Sequence, residues 1–193
     1  MDNQNQPEAT TQEIRDSNGK LLKIITMKNG VPHGEMIAFD ENGKIACKIN
    51  YENGLLSGPA EFYLAEQPLM LTFFKNGVQD GETTFFSNGI KAGTVNLLSG
   101  VFDGEFTSFD SECNVIRVAA YAGGSQNGEC KIFYPNGVLM QHSCYKNNLL
   151  HGEMVKYFPN GNVMEVSSFQ EGKPCGFVDT YDNDGNLKSS KEV

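Results

Sequence analysis

The chain is short of positive charge, and several kinds of segment are missing from it altogether. Lysine and arginine number 15 against 24 aspartates and glutamates, leaving a formal charge of −9 and a pI near 4.8. A protein that grips the phosphate backbone needs a basic face, so nucleic acid is excluded as an expected partner. Basic proteins stay open as partners, because net charge governs association and solubility rather than fold. No apolar run approaches the roughly 20 residues of a membrane-spanning helix. The opening "MDNQNQPEATTQEIRDS" has neither a basic start nor an apolar stretch. No secretory signal is read there, and the cytoplasm is the expected location. Five cysteines (Cys47, Cys113, Cys130, Cys144 and Cys175) contain no Cys-x-x-Cys spacing, and reduced thiols are expected.

Motifs of catalysis are missing too. There is no G-x-x-x-x-G-K-[ST] phosphate loop and no G-x-S-x-G elbow. "DEN" (40–42) and "DNDG" (182–185) resemble pieces of a calcium loop, but the remaining ligands and flanking helices are absent, and both read as turns. No metal, no cofactor and no enzymatic activity are expected.

Glycine, by contrast, is abundant and regularly spaced. The windows "NGVPHGE" (29–35), "NGLLSGP" (53–59), "NGVQDGE" (76–82), "SGVFDGE" (99–105), "GGSQNGE" (123–129), "NNLLHGE" (147–153) and "EGKPCGF" (171–177) begin 23 or 24 residues apart. Two residues before each window stands a large apolar side chain: Met27, Tyr51, Phe74, Leu97, Tyr121, Tyr145, Phe169. Ten residues after each window's start comes an aromatic: Phe39, Tyr63, Phe86, Phe109, Phe133, Tyr157, Tyr181. Seven copies in register make a repeat.

A second turn signal lies midway through most copies, as in "DENGK" (40–44) and "YPNGV" (134–138). Asn-Gly between short apolar-rich segments favours a hairpin, because Gly and Asn tolerate the positive φ of the turn. Each copy is therefore expected to run strand, tight turn, strand, wider glycine turn, with strands of about five to six residues. Glycine and proline recur too often for a helix of useful length. The fold class is all-β: an elongated single-layer antiparallel β-meander of about seven repeats spanning 16–188. A disordered polar tail is expected at 1–15 and a C-terminal tail at 189–193.

Alternation puts Glu35, Ile37 and Phe39 on one face and Met36 and Ala38 on the other. The repeated aromatics are thus expected to form a ladder that serves as core. Two copies depart from the midway turn, at 64–68 and 110–114; drift in a redundant array is the favoured reading, and relaxed turns that mark a bend or a partner loop are the alternative.

His33 and His151 sit in His-Gly-Glu triplets that invite a metal or acid–base reading. Their slot is Ser57, Asp80, Asp103, Asn127 or Cys175 in the other copies, and the glutamate recurs as Glu35, Glu82, Glu105, Glu129 and Glu153. A catalytic group has no reason to return every repeat, whereas a turn residue does. The triplet reads as architecture.

The windows, with "HGEMVKYFPNGNV" (151–163) and "NGECKIFYPNGVL" (127–139) foremost, resemble MORN repeats of the variant class found in the bacterial YwqK-type antitoxin family. The resemblance implies an antiparallel β-meander without catalysis that neutralises a protein toxin by binding it. The expected contacts are Phe39, Tyr63, Phe86, Phe109, Phe133, Tyr157, Glu82, Glu105 and Glu129, meeting a basic protein, with a homodimer also compatible. A membrane-associated scaffold or exported bacterial effector is the alternative, against which anionic lipid repelling a −9 chain counts.

Overall fold

A glycine or asparagine with positive φ stands at the tip of nearly every connection, and strands fill the residues between. The computed structural model describes residues 8–193. Two units are distinguished, Met1–Gly89 and Ile90–Val193. The described part of the first holds β1 (Thr10–Arg15), β2 (Leu21–Lys28), β3 (Val31–Phe39), β4 (Ile45–Glu52), β5 (Leu55–Leu64), β6 (Gln67–Lys75), β7 (Val78–Gln79) and β8 (Gly81–Ser87). The second holds β9 (Ile90–Leu98), β10 (Val101–Phe109), β11 (Val115–Ala122), β12 (Ser125–Phe133), β13 (Leu139–Lys146), β14 (Leu149–Tyr157), β15 (Val163–Gln170), β16 (Lys173–Tyr181) and β17 (Leu187–Glu192). Within each unit strands adjacent in sequence pair antiparallel, except that the two-residue β7 and then β8 both pair with β6; the fold is an all-β meander.

The two turn types are the reverse of the expected assignment. The first Asn-Gly of a window makes the tight connection: Lys28 pairs with Val31 across Asn29 and Gly30, whose φ values are 54° and 80°. The window's second glycine is no turn at all. Gly34 (φ 104°) lies inside β3, in a bulge that sets three residues (33–35) against Thr26 alone. Its missing side chain matters, since a Cβ there would stand 3.3 Å from the Thr26 side chain. Because the chain passes through this bulge without turning, β2–β6 reach eight to ten residues instead of five to six.

Although only Asn88 and Gly89 separate β8 from β9, the midway turn is mostly the wider loop. Asp40 closes it, its N–H donating to the Lys44 carbonyl at 2.8 Å. The Asp40 Oδ1 accepts from the N–H groups of Asn42 and Lys44. Asp16, Asp110 and Asp182 repeat the arrangement.

The deepest burial follows one row across the strands. In the first unit Ile25, Met36, Ile49, Ala60 and Thr72 stand successively opposite one another, and Thr72 Oγ1 lies 2.5 Å from Thr83 Oγ1. In the second the row is Val95, Phe106, Ala119, Cys130, Ser143, Met154 and Ser167. Ala60, Thr83, Val95, Ala119 and Ser143 are exposed by 1% or less. In the second unit Tyr121 packs beside the row: Phe102 meets it edge-on at 5.5 Å, and Phe106, itself in the row, at 6.3 Å. Most of the core is therefore this mid-strand row, on the Met36 side, joined in the second unit by Val155 and Thr107 of the opposite face, and the expected ladder of Phe39 and its counterparts is only half-buried. Each ladder aromatic lies at or next to a strand end and stays partly exposed.

The ends of the ordered structure also differ from expectation. Thr10–Arg15, read as tail, forms β1 on β2, and residues 187–192 form β17 on β16. Ladder hydrogen bonds are made by the backbone, so polar side chains do not prevent an edge strand from adding. Residues 1–7 of the expected tail lie outside the described residues.

Candidate binding face

Opposite the buried row, alternation places a second row of side chains on the other face of each sheet. In the first unit it runs Ile24, Ile37, Lys48, Glu61, Leu71, Thr84. In the second it runs Thr94, Thr107, Val118, Lys131, His142, Val155, Val166, Asp179. The window glutamates enter the strands beside these rows.

The residues expected to bind fall into two sets. Phe39, Tyr63, Phe109, Phe133 and Tyr157 each follow a register shift and stand opposite Ile45, Pro68, Val115, Leu139 and Val163. Together with Phe86 they are half-buried. Some rings are occupied by their own sheet: Lys91 Nζ lies 4.9 Å from the Phe109 centroid and Lys48 Nζ 5.9 Å from that of Tyr63. The Tyr63 hydroxyl donates to the Glu61 carboxylate, which holds the phenol above its ordinary pKa.

Glu82, Glu105 and Glu129 are all exposed, but they are not equivalent. Glu129 Oε2 is 2.7 Å from Lys131 Nζ and 3.7 Å from His142 Nε2. The Lys131 hydrogen bond and charge hold the Glu129 carboxyl below its usual range. Glu105 accepts from the Thr107 hydroxyl at 3.2 Å. Glu82 has no hydrogen-bond or ion-pair partner among the described residues. Of the three, it is the carboxylate left with its charge unspent.

The polar slot of the windows has a visible purpose. The Asp103 carboxylate accepts the N–H of Gly123 at 3.0 Å, and Asn127 Oδ1 accepts that of Asn147 at 2.9 Å. His33 Nδ1 accepts the N–H of Asn53 at 3.4 Å. Each side chain thus serves the next tight turn along, a task that Asp, Asn and a neutral imidazole share. Among the described residues no group of three or more His, Cys, Asp or Glu is placed to hold a metal ion.

Sequence reasoning missed one set of residues. Leu69, Leu71 and Phe73 alternate along β6 on the Glu61 side and are exposed by 47%, 38% and 50%. The signal was available: "PLMLTFF" (68–74) is apolar at most positions of both parities, although the row of one parity is enough for the core. Leu71, Phe73, Pro59, Glu61 and Glu82 line a depression of about 280 Å³.

Three segments, residues 32–53, 126–147 and 150–171, match the MORN repeat variant. Such repeats are commonly modules for protein interaction or membrane binding and are in general not catalytic. No curated protein matches the chain. Among solved structures, a protein of unknown function from Bacteroides fragilis NCTC 9343 is similar over 98% of this chain and 94% of its own, at 9% identity and a TM-score of 0.12. No helix among the described residues is long and apolar enough to cross a membrane.

Proposed function

We propose that the chain is a non-catalytic protein-binding module that neutralises a basic protein toxin in the cytoplasm by occluding it, in the manner of YwqK-type antitoxins. The observation that carries this reading is an acidic, partly apolar sheet face on MORN-like repeats. Its window glutamates are exposed, and the slot residues His33, Asp103 and Asn127 hold N–H groups of neighbouring turns. A solvated acidic face raises the encounter rate with a basic partner and loses that advantage as salt rises.

The test is affinity capture from lysate of the source cell, with the full chain as bait, at low and physiological salt. The expected result is one stoichiometric basic protein, released by salt, whose expression alone arrests growth and whose toxicity is relieved by co-expressing this chain. Capture of a protein that is harmless when expressed would refute the antitoxin role. Sedimentation with anionic vesicles, and no protein captured, would replace it with the membrane scaffold.

A further inference from the structure

From the β6 surface we infer a docking site for a short partner segment in which apolar side chains lie between basic ones. The inference rests on reading the chain as a protein-binding module, and it adds where contact is made and with what chemistry. Leu71 lies directly opposite Glu61 on one side and Thr84 on the other, and Phe73 lies opposite Pro59. Counterparts of Leu69, Leu71 and Phe73 in the second unit are Ile116, Val118 and Ala120 on β11 and Met140, His142 and Cys144 on β13. All six of these are half-buried. Exposure of all three positions thus sets β6 apart from β11 and β13.

Charge complementarity selects the occupant. The depression beside Leu71 and Phe73 is rimmed by Glu61, whose carboxylate already accepts from the Tyr63 hydroxyl and lies 3.5 Å from Lys48 Nζ, and by Glu82, which has no such partner among the described residues. Its volume of about 280 Å³ is at the small end for a metabolite site, which spans roughly 300–1,000 Å³, and suits one or two inserted side chains. Around the same strand's start, Leu64, Pro68, Leu69 and Phe86 line a second depression of about 260 Å³. Two apolar seats along one strand, with carboxylates at the first, call for a segment that inserts two apolar side chains and offers lysine or arginine beside them. The same strand opens on a strained turn, a conformation shared at single positions elsewhere by Ser99, Cys113 and Glu171. The turn entering β6 holds Ala65 and Glu66 at φ values of 50° and 66°, a left-handed conformation that side chains other than Gly and Asn adopt at a steric cost. Backbone strain of this kind collects at ligand clamps.

The experiment uses the full chain and a short fluorescein-labelled peptide carrying a leucine and a phenylalanine between two lysines. A control peptide has glutamates in place of the lysines. Anisotropy is measured for the wild type, for Leu71→Ser/Phe73→Ser, for Glu82→Lys and for Phe177→Ser, an equally exposed aromatic of the second unit. All four replaced side chains are exposed, and unchanged circular dichroism and thermal midpoint would show that the variants fold. The expected result is binding of the lysine peptide at least tenfold tighter to the wild type and Phe177→Ser than to the other two variants, with the glutamate peptide not bound. Equal binding by all variants, or none by the wild type, would overturn the site. If that happens while a toxic basic protein is still captured from lysate, the antitoxin reading stands and only this surface falls. Self-association or sedimentation on phosphatidylcholine vesicles that Leu71→Ser/Phe73→Ser abolishes, without peptide binding, would also overturn it by giving the stripe to a second copy or to lipid.

Discussion

Two repeats lack the midway Asn-Gly, and the structure treats them in opposite ways. In the second unit, Asp110–Asn114 keeps the wide loop of its regular relatives: Asp110 N–H donates to the Asn114 carbonyl at 3.0 Å, and Asp110 Oδ1 accepts from Glu112 and Asn114. Cys113 takes the place of the glycine at φ 65°. In the first unit, Leu64 pairs with Gln67 across only Ala65 and Glu66, a tight turn without glycine, asparagine or a capping aspartate. Neither is a relaxed loop, the alternative that the sequence left open. In four copies the wide loop is reinforced by an aspartate that satisfies two N–H groups at once, while 134–138 and 158–162 close the same loop without one. Where the aspartate is absent and the loop is short, the strand pairing closes the turn at the expense of strain. The exposed apolar stripe of β6 begins just beyond that turn.

The core rows differ between the same regions, and the largest expected effect tests that. Thr72 and Thr83 satisfy each other's hydroxyls in the first unit, where the second places Ala119 and Cys130. Thr72→Val is expected to cost about 1–3 kcal/mol in urea unfolding, because the Thr83 hydroxyl is left buried with its Thr72 bond removed. Thr72→Val/Thr83→Val should recover most of it. If the double variant is as weak as the single one, the hydroxyl pair is not what distinguishes the rows.

Next in size is the strained turn itself. Ala65→Asn/Glu66→Gly supplies the residues that a two-residue hairpin favours and should gain about 1–2 kcal/mol. It also removes the exposed ion pair of Glu66 with Lys44, whose contribution is small. No gain would mean that the surroundings, rather than the residue types, impose the conformation. Cys113→Gly removes the corresponding left-handed residue from the wide loop and should gain about 1 kcal/mol. A loss there would show the thiol to be doing something the loop needs.

The smallest effect is on pH. Hydrogen bonds from the Asn114 side chain and N–H hold the Asp110 carboxyl below its ordinary pKa, and the Asn186 N–H and side chain do the same for Asp182. A carboxyl with a depressed folded pKa stabilises above its unfolded value, near 3.9, and that contribution is lost as pH falls through the lower folded value. Amide protection at Asn114 and Asn186 should therefore drop on acidification below about pH 4. Protection at Gln67, whose turn has no capping carboxylate, should change less. Equal losses at all three would mean that acid acts on the sheet as a whole.

The repeat, its all-β nature and its neighbour-to-neighbour pairing were legible in the chain, because a fixed spacing of Gly and Asn dictates where positive φ is affordable and hence where strands must turn. The architectural reading of the His33 slot was legible for the same reason: a position filled by His, Asp, Asn, Ser and Cys cannot be tied to one chemistry. Which glycine turns and which bulges was not legible, since both prefer the same residue and only the strand register separates them. Nor was the location of the core. Both faces of a strand carry apolar side chains here, and a ladder of aromatics looks more like a core than Ala60, Thr83 or Ser143 do. Burial is decided by what closes over a side chain, a property of neighbouring strands rather than of the residue's own hydropathy. The same holds for the binding face. Glu82, Glu105 and Glu129 are one letter in one frame of the repeat, and only the placement of Lys131 and His142 beside Glu129 leaves Glu82, next to Leu71 and Phe73, with its charge free.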